Sequence, residues 1–129
     1  MANIKNLEMA AALSQNPHIE IKKSLFSTKA IYTPTGSKLE VNTLEYAPAD
    51  GERMEHLLAL PAEKVEVEVK TKGKPKATPV GQYRLETAIS SDHQFAAVQL
   101  FRFVDFGYTP ASQLICCEGK DVAVVESLL

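Results

Sequence analysis

Residues 83–106 read Tyr-Arg-Leu-Glu-Thr-Ala-Ile-Ser-Ser-Asp-His-Gln-Phe-Ala-Ala-Val-Gln-Leu-Phe-Arg-Phe-Val-Asp-Phe, and this stretch decides the fold class. Tyr83, Leu85, Thr87 and Ile89 alternate with Arg84, Glu86 and Ala88, the period of a strand with one wet face. Ser90-Ser91-Asp92-His93 reads as a tight turn. From Gln94 to Phe106 the chain is apolar on both parities, with Phe95, Ala97, Phe101 and Phe103 on one and Ala96, Val98, Leu100 and Val104 on the other. A strand greasy on both sides belongs in the middle of a sheet with each face covered.

Working upstream, Val65, Val67 and Val69 alternate with Glu66, Glu68 and Lys70, which predicts another strand with one wet face. Between the two alternating runs, Lys72 to Gly81 holds two prolines and two glycines and reads as the loop of a hairpin. Asp50 is placed to cap a short helix with Met54, Leu57 and Leu58 on one face, closed by Pro61. Between His18 and Tyr46 the signal is again strand. Ile19, Ile21 and Leu25 share a parity that Phe26 breaks, a bulge or the strand's end. Ala30-Ile31-Tyr32 is extended, Thr33-Pro34-Thr35-Gly36 is a turn, and Leu39, Val41 and Thr43 alternate, which predicts a hairpin near Thr35. At the N-terminus Asn3 caps a helix whose stripe is Ile4, Leu7 and Ala11 with Met9 or Ala10, ended by Asn16-Pro17.

Downstream, Tyr108-Thr109-Pro110 leads to a short strand at Leu114–Cys117. Asp121 then caps a last helix with Val122, Val125, Leu128 and Leu129 facing inward, although Val122–Val125 also suits a strand. Strands and helices are segregated, so the expected class is α+β. The expected architecture is one domain over residues 1–129: a mainly antiparallel sheet of about five strands with an N-terminal, a short middle and a C-terminal helix packed on it. A small β-barrel with a helical plug is the alternative.

The composition supports an ordinary folded chain. It has 129 residues, 45% hydrophobic and 23% charged, with a net charge of −2. That balance excludes a surface built throughout for nucleic acid or an anionic membrane. No apolar run approaches the length of a membrane span, and the first residues lack a signal-peptide pattern, so a cytoplasmic protein with no membrane partner is expected. Cys116 and Cys117 are adjacent and point to opposite faces if extended, so they are expected as free thiols of a reducing compartment.

The chemistry-bearing residues do not converge on a reaction. His18, His56 and His93 are widely separated, with no second ligand at helical or strand spacing, and no metal site is expected. Glycines 36, 51, 73, 81, 107 and 119 never form a phosphate-binding pattern, so no cofactor is expected. Ser91-Asp92-His93 has the letters of a hydrolase triad, but consecutive residues do not adopt that geometry. Phe101-Arg102-Phe103 lies in a run that overlaps the aromatic motif of RNA-binding sheets. Gln99, Leu100 and Arg102 occupy its basic, glycine and small positions, so Phe101 and Phe103 are assigned to the core. Glu66 and Glu68 are assigned as cross-strand partners of Arg84.

One charge feature stands out. No acidic residue lies between Glu68 and Glu86, while Lys70, Lys72, Lys74, Lys76 and Arg84 supply five positive charges. Flexible lysines at a hairpin tip can reach phosphates as point charges, or they can keep a sheet edge from pairing. The features together lean away from an enzyme and toward a protein-binding or accessory module, whose partner is another protein or a second copy of the chain. Weak, non-specific nucleic-acid binding through loop 70–76 is the alternative. A small enzyme or ligand-binding domain with a pocket beneath the Phe95–Phe106 strand is the second.

Overall fold

In the computed structural model, which describes residues 4–79 and 81–129, the chain opens with a 3-10 turn at Ile4–Asn6 and a one-turn helix α1 at Ala10–Leu13. Strands β1 (Ile19–Lys23), β2 (Thr28–Tyr32) and β3 (Ser37–Tyr46) follow, then helices α2 (Pro48–Ala59) and α3 (Ala62–Lys72). The second half holds β4 (Tyr83–Ser90), β5 (Phe95–Val104), β6 (Gly107–Pro110) and β7 (Ile115–Glu118), and ends in α4 (Val122–Ser127). The strands form one antiparallel sheet in the order β1-β2-β3-β4-β5-β6, with β7 also paired to β5. The class is therefore α+β, with seven strands rather than about five.

The decisive stretch forms the two expected strands, but β4 lacks the expected wet face: Glu86 and Ala88 are fully buried, because the N-terminal segment covers that side of the sheet. β4 and β5 pair from Tyr83↔Arg102 to Ile89↔Ala96, and β3 covers the other edge of β4 from Leu39↔Ser90 to Tyr46↔Tyr83. On one face of these strands Val41, Ala88, Phe95, Ala97 and Phe101 pack with Ile4, Leu7, Met9 and Leu13 from the N-terminal segment. On the other, Leu85, Ala96, Val98 and Leu100 pack with Met54 and Leu57 of α2, Val65 of α3, and Val122 and Val125 of α4. Both parities of β5 are buried from Phe95 to Phe101 because each faces its own core. Phe103 departs from the expectation: it is 43% exposed, edge-on to Tyr108 beyond the end of the core.

The largest correction concerns Val65–Val69, which is helix α3 and not a strand. Residues 65 and 69 share a helix face as readily as a strand face, and Val65 is buried with Val69 packed beside the same core. Val67 points away and is 63% exposed. Alanine, glutamate and lysine fill the rest of the helix and favour it. Glu68 pairs with Lys72 one turn on, at 3.2 Å. No strand position was open to this segment beside β4, since β3 and β5 occupy both of its edges. Glu66 and Glu68 consequently do not face Arg84. Lys70 and Lys72 lie in the last turn of a helix, and residues 73–82 connect α3 to β4 instead of capping a hairpin.

Three further differences are local. The expected first helix is broken into a 3-10 turn and α1 because the Met9 backbone N–H donates to Glu86 Oε1 at 3.0 Å, leaving Ala11 exposed. The expected Asn3 cap lies outside the described residues. Helix α2 begins earlier than expected, with Pro48 in its first turn, Ala47 as N-cap and Asp50 already inside it. At the C-terminus Val122–Val125 is helical, Val122, Val125 and Leu128 are buried, and Leu129 is exposed rather than inward.

Candidate interaction site

Two hairpins account for the extra strands, and both present apolar side chains at their tips. β1 and β2 pair from Ile19↔Tyr32 to Lys23↔Thr28, so the break at Phe26 is a reversal of the chain. The Ser24 N–H donates to the Ser27 carbonyl at 2.8 Å, and the Ser27 N–H donates to Ser24 Oγ at 3.2 Å. This serine clasp holds Leu25 and Phe26 as the central residues of a closed turn, where they are 95% and 94% exposed. The clasp fixes the direction of the turn, so both side chains face outward from a hydrogen-bonded backbone.

β5 and β6 pair up to Val104↔Gly107, with Asp105 and Phe106 between them at φ 52° and 67°. Two successive positive φ values are the signature of the tight turn that matches strand twist, and it normally takes Asn-Gly or Asp-Gly. A phenylalanine there carries left-handed strain, on the order of 1 kcal/mol. Its ring is 97% exposed and recovers nothing from the fold. The registers direct both tips toward the same end of the sheet, where β3 and β5 terminate.

The β1–β2 hairpin is also basic. Lys22 and Lys29 stand directly opposite each other, a like-charge pairing that disfavours the hairpin. From Glu20 to Glu40 the sequence has no acidic residue between and four lysines, Lys22, Lys23, Lys29 and Lys38. This second basic window escaped the sequence reading, though a charge count along the chain carries the signal.

The lysines singled out from sequence are exposed at 70, 72, 74 and 76, with Pro75 buried among them. Arg84 lies on β4 in a different setting. Its Nη2 is 3.9 Å from Glu45 Oε1, its Nη1 3.8 Å from Glu86 Oε2, and its guanidinium stacks 4.0 Å above the Tyr108 ring. Glu86 is fully buried, and its Oε2 has no hydrogen-bond partner among the described residues. Burial raises its carboxyl pKa above the ordinary value, against the opposing pull of the Met9 and Glu8 backbone amides and Arg84. The group clasps the N-terminal segment to the sheet.

Other chemistry-bearing residues are dispersed. His18 pairs with Glu118 at 2.9 Å and His93 with Glu126 at 2.6 Å, both at the surface. Asp92 accepts from the Ser90 hydroxyl at 2.7 Å and the Gln94 N–H at 3.2 Å, the nearby Thr35 and Ser90 hydroxyls lower its pKa, and it so serves the turn before β5. Cys116 and Cys117 are free thiols on β7, and burial raises the pKa of both. Among the described residues no group of three or more His, Cys, Asp or Glu side chains comes together as a metal-ligand cluster. No helix among them is long and apolar enough to cross a membrane.

The chain is thus an α+β protein whose curled antiparallel sheet carries two apolar hairpin tips. No protein family, no curated protein and no solved structure matches it.

Proposed function

We propose that the protein is a non-enzymatic interaction module that holds a protein partner, another protein or a second copy of itself, through its β1–β2 hairpin. The observation that carries this reading is the fixed, full exposure of Leu25 and Phe26 on a serine-clasped turn. Exposed apolar side chains ringed by charge are the composition of an interface anchor. Phe106, held exposed in a conformation that costs energy, belongs to the same reading.

The test compares the intact protein with a Leu25→Asp/Phe26→Asp variant. Light scattering reports self-association, and affinity capture from a lysate with quantitative mass spectrometry reports other partners. The variant is expected to fold with unchanged stability and to lose the dimer or the specific captured protein. Equal association by both proteins refutes the hairpin's role.

The nucleic-acid reading keeps one supporting observation, the exposure of Lys70, Lys72, Lys74 and Lys76 along one connection. It predicts single-stranded DNA affinity that falls steeply with salt and vanishes when the four lysines become Glu.

A further inference from the structure

β2 and β3 form a ladder at two positions only, Ile31↔Lys38 and Tyr32↔Ser37, and then diverge. β3 continues for eight more residues, paired to β4 on its inner edge. On its outer edge no strand of the described residues pairs with it between Leu39 and Leu44; at the far end the Thr78 N–H donates to the Glu45 carbonyl at 2.7 Å and Ala77 bridges Tyr46. The wedge left between the strands is a cavity of about 530 Å³, within the range of binding clefts. Its apolar lining comes from Ile4, Ala30, Leu39 and Val41, and Lys29 and Lys38 stand at its rim. Neither lysine is in an ion pair among the described residues, whereas Glu40 is the one acid in the wall. Thr28 lines the cleft, is 7% exposed, and its Oγ1 has no hydrogen-bond partner among the described residues.

These observations converge on one kind of occupant. An open strand edge presents backbone donors and acceptors at strand spacing, which only another extended backbone satisfies in series. Apolar positions on the floor suit side chains that alternate inward along such a strand. The unpartnered Thr28 hydroxyl offers a hydrogen bond inside the wedge, where leaving it unmade is costly. The lysines at the rim, with Lys22 and Lys23 on the neighbouring strand, favour carboxylates on the outward positions.

We infer that the cleft between β2 and β3 binds an extended acidic segment of a protein partner as an added strand on β3. This deepens the proposed interaction function and rests on it: the exposed tip beside the cleft is the anchor, and the cleft is where the partner's strand is read.

The probe is a fluorescein-labelled peptide of alternating valine and glutamate, with alternating valine and lysine as control and a proline-interrupted version of the first. Fluorescence polarisation gives affinity, and amide chemical shifts of the full chain locate it. The expected result is binding of the acidic peptide alone, with shifts along Thr28–Tyr32 and Leu39–Leu44 and loss on proline insertion. Lys29→Glu/Lys38→Glu is expected to weaken it by roughly tenfold or more, as for close charge pairs. Thr28→Val is expected to weaken it several-fold while the rest of the spectrum stays native. Absence of binding by the acidic peptide up to ~1 mM overturns the inference. So do equal binding of all three peptides, shifts located elsewhere, and lysine-dependent binding to anionic phosphatidylserine vesicles in its place. Partner capture lost in Leu25→Asp/Phe26→Asp but kept in Lys29→Glu/Lys38→Glu overturns the cleft and leaves the hairpin reading standing. Capture insensitive to Leu25→Asp/Phe26→Asp refutes the hairpin reading separately.

Discussion

Replacing Gly51 by alanine puts a methyl group where helix α2 meets the sheet. Gly51 is buried in the first turn and a half of α2, and a Cβ there would lie 2.7 Å from the Tyr83 Cβ and nearer still to its ring. In an open helix the change stabilises by ~1 kcal/mol, because glycine loses the most backbone entropy. Here Tyr83 is 4% exposed, and Met54 and Leu57 on the same helix are seated in the same core. The helix cannot lift off without unseating them, and the ring cannot leave without opening a cavity. Overpacking of this kind costs ~1–3 kcal/mol, so the net expectation is a loss of up to ~2 kcal/mol after the helix gain. In a Tyr83→Ala background the clashes with the ring are gone and only the 2.7 Å approach of the two Cβ atoms remains, so the same substitution costs far less there. The coupling energy of the cycle is therefore ~2 kcal/mol. Urea denaturation followed by circular dichroism measures all four proteins, with a stabilising osmolyte in the buffer so that Tyr83→Ala remains folded. Additivity within ~0.5 kcal/mol refutes the argument that close helix–sheet approach fixes this glycine.

The pH dependence of stability carries the signature of Glu86. Its folded pKa is raised, so the folded state holds a proton more tightly, and stability falls as pH rises from the ordinary carboxyl value through the folded one. Urea midpoints of the parent between about pH 4.5 and 7.5 are expected to decline more than those of Glu86→Gln; parallel curves contradict this. Val67→Ala is expected to stabilise by ~0.5 kcal/mol as an exposed helix substitution, whereas Val65→Ala costs ~2 kcal/mol as a core truncation. Equal losses at both positions, by thermal or urea unfolding, argue against the helix. Phe106→Gly relieves the left-handed turn and is expected to gain ~1 kcal/mol while weakening partner capture. A loss of stability shows that the ring has a structural contact.

The legible and illegible parts of the fold divide along physical lines. β5 was readable because burial on two faces leaves its own pattern over a long run, whereas β4 was read with a wet face it does not have, since the N-terminal segment that covers Glu86 and Ala88 is tertiary information. Val65–Val69 was ambiguous at its root, since a residue and the fourth after it share a side in both helix and strand. Only the occupancy of β4's edges decides between them, and that is tertiary information. β6 was hidden because its turn uses Asp105 and Phe106 in place of the glycine that marks such turns. The basic hairpin was diluted by Glu20 and Glu40 at its ends, and the parity break at Phe26 left open whether the strand bulged or ended, where in fact the chain reverses. The wedge beside β3 arises from where two strands part, which no local pattern encodes.

The bond from the Met9 amide to Glu86 joins points 77 residues apart. During synthesis at ~5–20 residues per second, the N-terminal segment emerges on the order of 4–15 s before its acceptor has been made. For that interval Leu7, Met9 and Leu13 lack the central strands β4 and β5 that complete their core. The N-terminal segment thus waits for strands made much later, and nascent chains halted before residue 86 has left the ribosome should be cut by protease within residues 4–13 while the released full chain resists.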